Sequence, residues 1–502
     1  MGQGKHLIKG SLIRNAHFVL SVSIMFFMMP FIIRSLGNKI YGIWILVGTF
    51  IGYYGLLDMG LSSAVERFMS RALGRRDITA ANRIISTSFV MFSTGGAIVL
   101  LLSSIASALC FYLIRDPGDA VLFGKMIFIL GIGMAIRLPM KVFRGVLISH
   151  LRYDLATYAS MLKLLAANAF IFYFLKTGHG VLALAVITFL ANQLEYLLEL
   201  IFAKKVFPEL RISRSLYQKD EVRLLLGYSV KTFIARLADI LRFRVDSFVI
   251  AIFLNLSVIT PYYVAVRLVD YFGRFITNSV GLMMPVFSRY ESQGRYDLMR
   301  QKFLDVTRIS TVLSVFVGAS MIYYGNVFIC RWMGPGFRSS YTILIILCVP
   351  VMIGLMQNPS LGLLYGISKH HFFSVANALE GVLNLILSIL LVRRYGIYGV
   401  ALGTAIPLML FKLFVMPIYS CRVIKVPVYE YYFKTLFLSG IKTLCPLLLY
   451  FYIGRFFLKA DYANIIISGG IQILLFVPIL FYFVFWERER KIILRAIGMP
   501  GA

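Results

Sequence analysis

Charged residues are scarce in this sequence: they make up 15% of its 502 residues, whereas 59% are hydrophobic and the mean hydropathy is +0.82. A water-soluble fold would need more polar surface than this composition supplies. The bilayer is therefore the expected solvent, and a chain in lipid spans it as helices or as a closed barrel. The near-continuous apolar runs 90–113 and 465–486 lack the alternation of barrel strands and predict helices.

Cysteine is also rare, and the motifs of several enzyme classes are missing. The five cysteines are widely separated, with no C-x-x-C pair and no cysteine–histidine cluster at metal-ligand spacing, so we expect neither a disulfide framework nor a structural metal. The sequence contains no G-x-x-x-x-G-K-[ST] loop and no H-E-x-x-H helix. ATP-driven pumping and metalloprotease chemistry are therefore not indicated, and we expect no cofactor and no catalytic residue.

Acidic residues are few relative to basic ones, 22 against 51, which gives a net charge of +29. Clustered Lys and Arg can indicate a nucleic-acid partner. Here the basic residues lie between apolar runs, which is the pattern of membrane loops, so we expect no nucleic acid. The first apolar run follows Lys5, Lys9 and Arg14 without a signal-peptide cleavage site, so it is predicted to remain as the first span.

Apolar runs bounded by charged or turn residues predict about fourteen transmembrane helices. With an even number of spans, alternate connections lie on one side, and that set carries most of the Lys and Arg residues, including Arg67, Arg75 and Lys204. These loops and both termini are therefore predicted to be cytoplasmic. The predicted spans are 12–33, 40–60, 84–114, 121–147, 155–176, 180–202, 224–253, 258–286, 304–330, 339–366, 371–393, 396–419, 432–456 and 463–486.

A long polar connection divides the predicted spans into two sets of six and a final pair. Because six is even, the first and seventh spans enter the membrane in the same direction, so the two sets would be parallel repeats, as in some secondary transporters. The predicted all-α architecture is thus two six-helix lobes and two extra C-terminal helices. Its segments are an N-terminal lobe at 1–205, a cytoplasmic linker at 206–222, a C-terminal lobe at 223–420 and the extra helices with a tail at 421–502.

Two neighbouring predicted spans carry charged stripes at membrane depth. Such charges are costly in hydrocarbon and usually face protein or a water-filled cavity. A structural interpretation is that the stripes pair only with each other; we favour a hydrated cationic cavity, because arginines outnumber aspartates. The substrate-binding candidates are Arg236, Arg242, Arg267 and Arg274, and the coupling or gating candidates are Asp58, Asp239, Asp246 and Asp270.

Asp58 lies near the cytoplasmic end of the second predicted span and has two interpretations. It is a helix cap or an ion-pair partner of Arg67 in one, which we favour, and a gate residue in the other. Several charges in the first half are weaker candidates, and we favour an interfacial or snorkelling position for each of them. These residues are Glu66, Arg67, Arg137, Glu195 and Glu199.

Two groups of short motifs resemble a known family of membrane proteins. The first runs from Arg34-Ser35-Leu36-Gly37 through Tyr41-Gly42-Ile43-Trp44 to Tyr54-Gly55-Leu56-Leu57-Asp58-Met59-Gly60-Leu61. The second contains Gly366-Ile367-Ser368-Lys369, Arg394-Tyr395-Gly396 and Gly399-Val400-Ala401-Leu402-Gly403-Thr404. Both resemble the oligosaccharide-lipid flippases of bacterial polysaccharide biosynthesis, the O-antigen or Wzx type, over about the first twelve spans.

The resemblance implies the fold of the multidrug/oligosaccharidyl-lipid/polysaccharide (MOP) exporters. It also implies alternating access through a cationic central cavity, which moves an undecaprenyl-diphosphate-linked oligosaccharide to the periplasmic leaflet. A diphosphate with sugars cannot cross hydrocarbon unaided and would be attracted to arginines at membrane depth. The expected partners are this lipid-linked oligosaccharide, membrane lipids, H+ or Na+ as a coupling ion, and polysaccharide polymerase and chain-length machinery.

Two other functions remain open at this point. A cation-coupled multidrug exporter of the same superfamily would favour a cavity dominated by carboxylates, so the excess of arginine favours the flippase. A membrane-embedded glycan acyltransferase or polymerase would need a catalytic histidine or carboxylate near a membrane face, often on a large periplasmic loop. No predicted outer loop is long enough, so we do not expect an enzyme.

Overall fold

The computed structural model describes residues 2–114, 116–227, 229, 245–280, 283–367, 369, 371–459, 461–484, 487 and 490. Its regular secondary structure in these ranges is helical throughout. The chain forms two compact units. The first holds the described residues from 2 to 229 together with Asn255–Thr260, and the second holds 245–254 and the described residues from 261 onward.

The first unit is built from long apolar helices that are joined by short turns. An Asp at the N-cap begins two of them: Asp77 accepts a hydrogen bond from the backbone N–H of Ala80, and Asp116 accepts one from Asp119. The helices are α1 (Gly2–Tyr53), α2 (Leu61–Gly74), α3 (Ile78–Ala108), α4 (Cys110–Leu113), α5 (Pro117–Ser149), α6 (Tyr153–Lys176) and α7 (Val181–Val206).

The second unit is also built from apolar helices. Three short π-helical segments, Phe411–Val415, Glu430–Phe437 and Leu480–Val484, adjoin its α-helices. All of α9 except its first two residues belongs to this unit. The helices are α8 (Asp246–Phe253), α9 (Ile259–Val280), α10 (Met284–Ser292), α11 (Tyr296–Met333), α12 (Arg338–Met356), α13 (Asn358–Gly366), α14 (His371–Leu410), α15 (Met416–Ile424), α16 (Leu438–Gly454) and α17 (Tyr462–Ile479).

Ten helical segments within the described residues are long and apolar enough to cross a membrane. Two of them, Ala16–Asp58 and Phe372–Ile424, have 43 and 53 residues, whereas one crossing needs about 20. Each contains a glycine with positive φ at a break between two helices, Gly37 at 78° and Gly396 at 56°. This conformation is open to glycine and costly for other residues. The protein is therefore an all-α, multi-pass membrane protein, and the count of about fourteen spans stays a prediction.

At Gly396 the chain folds back on itself. A Cβ on Gly399 would lie 2.2 Å from the carbonyl oxygen of Leu391, and one on Gly403 would lie 2.3 Å from the hydroxyl of Ser388. Gly399 thus faces Leu391, and Gly403, farther after Gly396, faces Ser388, farther before it. This nested pairing is that of an antiparallel helical hairpin. The sequence predicted a break between spans at this position, and the small residues allow the two helices to approach closely.

The predicted cytoplasmic loop that contains Arg67 and Arg75 is largely helical. Helix α2 occupies most of it, and its buried residues recur at helical spacing, from Leu61 through Val65 to Met69. This amphipathic face packs in the core of the first unit together with α3 and α5. The prediction of a plain loop was wrong because the run is too short and too charged to be recognised as a membrane span.

Candidate functional site

Of the charged stripe predicted in the seventh span, the structure describes Asp246. Asp246 begins α8 and is 8% exposed. The phenol of Tyr262 donates a hydrogen bond of 2.5 Å to one carboxylate oxygen, and the hydroxyl of Thr404 lies 3.1 and 3.2 Å from the two oxygens. Hydroxyl groups therefore surround this buried carboxylate. The other predicted members lie outside the described residues: Arg236, Asp239 and Arg242.

The stripe predicted in the eighth span is present along one face of α9. The carboxylate of Asp270 lies 3.0 Å from Nε of Arg274 and 3.5 Å from a guanidinium nitrogen of Arg267. Arg267 also donates a hydrogen bond of 2.6 Å to the phenol of Tyr263. The side chains of Arg267, Asp270 and Arg274 are 32%, 37% and 58% exposed. The two cations share one carboxylate on their own helix, so the stripe carries one net positive charge.

Asp58, two residues before the N-cap of α2, accepts hydrogen bonds from the first turn of that helix and also forms an ion pair. One of its carboxylate oxygens accepts hydrogen bonds from the backbone N–H and the hydroxyl of Ser62, in the first turn of α2, at 3.0 and 2.9 Å. The other oxygen lies 3.0 Å from Nζ of Lys141, on α5. Asp58 thus bonds the first turn of α2 and pairs with Lys141, a cation that the sequence interpretation did not name, and a gating role stays a prediction.

The first unit contains a cavity of about 500 Å³. Its lining includes four Lys or Arg side chains and four Asp or Glu side chains, an unusual concentration of charge for helices of this apolar composition. Lys163 and Glu195 lie near the middle of α6 and α7, both of which are membrane-span candidates. The charged lining residues are Asp58, Glu66, Arg137, Lys141, Arg144, Lys163, Glu195 and Glu199, with His17 beside them.

Ion pairs between helices connect most of the cavity's charges. Nζ of Lys163 lies 2.6 Å from the carboxylate of Glu195, which also accepts a 2.5 Å hydrogen bond from the hydroxyl of Ser160. A guanidinium nitrogen of Arg144 lies 2.7 Å from Glu199 and 3.8 Å from Glu195. These cations offset the cost of burying the two carboxylates. The pairs thus tie α5, α6 and α7 together.

Sequence reasoning found part of this cavity and missed part. Glu195 and Glu199 are 6% and 4% exposed and lie among cations of neighbouring helices rather than extending into solvent, and their depth in the membrane stays a prediction. Lys141, Arg144 and Lys163 were not recognised. A signal did exist: Arg137, Lys141 and Arg144 recur at i, i+4 and i+7, which places three cations on one helical face.

Among the residues that the structure describes, no group of three His, Cys, Asp or Glu side chains converges as a metal site requires. The oxygen-rich cluster at Asp246 contains a single carboxylate, with hydroxyl and amide groups as its other oxygens. Such a cluster can hold a proton or a monovalent cation, which are the coupling ions expected above.

Comparison with solved structures identifies the fold. The lipid II flippase MurJ in an inward closed conformation is similar with a TM-score of 0.71 and 14% identity, over 96% of this chain and 99% of MurJ. An inward-facing multidrug resistance MATE family transporter of the MOP superfamily is similar with a TM-score of 0.67 and 16% identity, over 81% of this chain and 98% of the transporter. The chain therefore has the fold of the MOP superfamily transporters, as its motifs implied.

The family follows from the sequence itself. The family model described as "Polysaccharide biosynthesis protein" matches residues 31–342, and the chain belongs to this family. A relative of similar length is the uncharacterized membrane protein EpsK of Bacillus subtilis, which is 23% identical over 95% of each chain. The predicted resemblance to the membrane proteins of polysaccharide biosynthesis is thus confirmed.

Proposed function

We propose that this protein is a flippase for an undecaprenyl-diphosphate-linked oligosaccharide. In this proposal, alternating access through a cationic cavity moves the lipid-linked sugar from the cytoplasmic to the periplasmic leaflet of the bacterial inner membrane. Polysaccharide polymerase and chain-length machinery then act on the product. The polysaccharide biosynthesis family and the flippase among the similar folds support a substrate of this class.

The observation that carries the proposal is the arginine stripe of α9. Arg267 and Arg274 share the single carboxylate of Asp270, and their side chains are partly exposed, on a helix of 22 residues that is as long as a span but more polar than the ten apolar segments. A net cation that is open to solvent attracts an anion, and the planar guanidinium binds two phosphate oxygens at once. The proposed substrate contacts are Arg267 and Arg274, together with Arg236 and Arg242 from the neighbouring predicted stripe.

We assign the coupling ion, H+ or Na+, to Asp246 rather than to the other aspartate candidates. Asp58 is balanced by Lys141, and Asp270 is balanced by two arginines. Asp246 is buried and accepts its described hydrogen bonds from neutral hydroxyls, so binding a proton or a cation would cancel its charge. Thr404, which contacts Asp246, also lies 3.2 Å from the amide oxygen of Asn384, which could contribute to a cation site.

Deleting the gene tests the function. We expect export of one surface polysaccharide to stop and its lipid-linked precursor to accumulate on the cytoplasmic side, because synthesis continues while translocation fails. The measurement is surface glycan together with the extracted lipid-linked precursor. An intact surface glycan with no precursor accumulation, in a strain without a redundant flippase, would support the drug exporter instead.

Reporter fusions test the proposed orientation. We expect both termini and the α2 region to be cytoplasmic, because Lys and Arg are concentrated on that side. Fusions of a periplasm-active enzyme at Met1, at Gly74 and at Ala502 should all be inactive, and a fusion at Pro117 should be active as the opposite control. Periplasmic activity at any of the first three positions contradicts the proposed topology.

A further inference from the structure

The connection that follows α7 is attached to the start of α3 through its backbone. We call residues 209–218 of this connection the docked linker. Asn82 of α3 is 6% exposed, and its side chain bonds the linker twice. The amide nitrogen donates a hydrogen bond of 2.9 Å to the carbonyl oxygen of Glu209, and the amide oxygen accepts one of 3.0 Å from the backbone N–H of Arg211. These two bonds fix the beginning of the linker on α3.

Two buried hydroxyl groups of α3 continue the attachment. Ser86, which is 1% exposed, donates a 3.3 Å hydrogen bond to the carbonyl oxygen of Arg211 and accepts a 3.2 Å bond from the backbone N–H of Ser213. The hydroxyl of Thr87, the next residue of α3, accepts a 3.3 Å bond from the backbone N–H of Gln218. The attachment thus uses the peptide groups of the docked linker rather than its side chains.

The docked linker and the end of α2 together present a basic surface. Arg211 and Arg214 are exposed on the linker, which contains one acidic residue, and Arg71 and Arg75 are exposed at the end of α2. The turn that follows Arg75 leads directly into the part of α3 that holds the linker, so the four cations lie at the same end of the first unit. Their guanidinium groups make no ion pair or hydrogen bond with the other described residues. The charge of this surface is therefore not neutralised within the described part of the chain.

The basic surface lies at the level of a membrane interface. Helix α3 is a membrane-span candidate of 31 residues, whereas hydrocarbon is crossed by about 20. Its polar end is its start, where Asn82 and Arg83 lie and where the linker is attached, so these first turns extend into the headgroup region. Exposed apolar side chains lie among the cations of the linker, with Ile212 and Tyr217 at 39% and 38% exposure. Basic residues mixed with exposed apolar and aromatic ones are typical of segments that lie on an anionic membrane.

We propose that the docked linker and the end of α2 form a binding surface for the headgroups of anionic phospholipids. Arg211 and Arg214 contact the lipid phosphates, and Ile212 and Tyr217 insert between the headgroups. The bound lipid belongs to the surrounding leaflet and is not the transported substrate. None of these side chains lines the charged cavity of the first unit. Because α3 holds the linker's backbone, the contact fixes the first unit to the membrane surface.

Fluorescence quenching in the full-length protein tests this surface. A fluorescent non-canonical amino acid replaces Ser215, which is exposed on the docked linker. The protein is reconstituted in phosphatidylcholine bilayers that contain a small fraction of phosphatidylglycerol or phosphatidylcholine with a nitroxide near the top of one acyl chain. We expect stronger quenching by the labelled phosphatidylglycerol, and raising the salt concentration should reduce the difference because it screens the charges.

Removing the arginines should abolish most of this preference. The relative association of phosphatidylglycerol over phosphatidylcholine should fall by about fivefold for each cation lost in Arg211→Gln/Arg214→Gln. Both side chains are exposed, so the fold should not depend on them. The matched control is Lys125→Gln/Lys176→Gln, which removes two exposed cations of the same unit that lie on α5 and α6, and it should keep the full preference.

A variant that keeps every cation tests whether the attachment to α3 builds the surface. Ser86→Ala removes both hydrogen bonds of the serine hydroxyl and should lower the phosphatidylglycerol preference severalfold; an unchanged preference would overturn the role of the docking. Equal quenching by the two lipids in the unsubstituted linker, or an unchanged preference in Arg211→Gln/Arg214→Gln, overturns the proposal as a whole. So does loss of the preference on adding inorganic phosphate or polyglutamate at constant ionic strength, since the surface would then bind a soluble anion or an acidic protein.

Discussion

The two units stabilise buried carboxylates in different ways. In the first unit, Glu195 and Glu199 are balanced by Lys163 and Arg144 across helix interfaces, at 2.6 and 2.7 Å. In the second unit, Asp246 is equally buried, but its described hydrogen bonds come from the hydroxyls of Tyr262 and Thr404. The first arrangement carries its own counter-charge, and the second relies on neutral donors.

The two arrangements have different consequences for stability and for ion exchange. A carboxylate paired with a cation on another helix cross-links the fold, and removing either partner leaves the other in a medium of low dielectric. A carboxylate held by hydroxyls can exchange a proton or a cation without breaking an ion pair. Stability should therefore respond most to substitutions in the first unit, and ion coupling most to substitution of Asp246.

Arg144→Ala should give the largest loss of stability. It removes the ion-pair partner of Glu199 and a second, more distant cation from Glu195. Leaving a buried charge without its partner costs about 3–5 kcal/mol of stability. Because the Arg144 side chain is 43% exposed, we expect a value near the lower end of that range. Membrane abundance and the thermal unfolding of the purified protein measure it. The double variant Arg144→Ala/Glu199→Gln should recover most of the loss, and a double variant as unstable as Arg144→Ala would contradict a structural ion pair.

Asp246→Asn should leave stability nearly unchanged and abolish export. The amide keeps the size of the side chain and one oxygen acceptor for the hydroxyl groups, and it removes a buried charge without stranding a partner cation among the described contacts. Surface glycan measured beside membrane abundance tests this prediction. Normal glycan at normal abundance would remove Asp246 from the coupling role, and a collapse in abundance would assign it a structural one.

Arg267→Ala and Arg274→Ala should have the smallest effect on stability. Both pair with Asp270 within one helix and in a partly exposed position, where such pairs contribute about 0.2–0.5 kcal/mol. Export should nevertheless fall, because each variant loses a contact to the diphosphate, and Arg267→Lys and Arg274→Lys should keep partial activity. Wild-type glycan export by both alanine variants at normal abundance would rule out the α9 stripe as a substrate site.

The sequence predicted the helices better than the site. The break between spans at Gly396 was readable because glycine and charge interrupt an apolar run, and the structure places a helical hairpin there. The α9 stripe was readable for the same reason, since residues three and four apart must share a face. The charged cavity of the first unit was only partly readable, because Lys163 is an isolated charge in an apolar run and the partners of the α5 cations lie on other helices.

What the sequence alone determined is the solvent of the protein, its helical class and its family motifs, because hydropathy and helical periodicity are local properties of the chain. Only the tertiary structure decided which acidic side chain pairs with which basic side chain. Asp58 pairs with Lys141, and Glu199 pairs with Arg144, across distances in sequence that no periodicity encodes. The packing of helices sets these pairs, because each buried charge must find its partner on whichever neighbouring helix lies within a few ångströms.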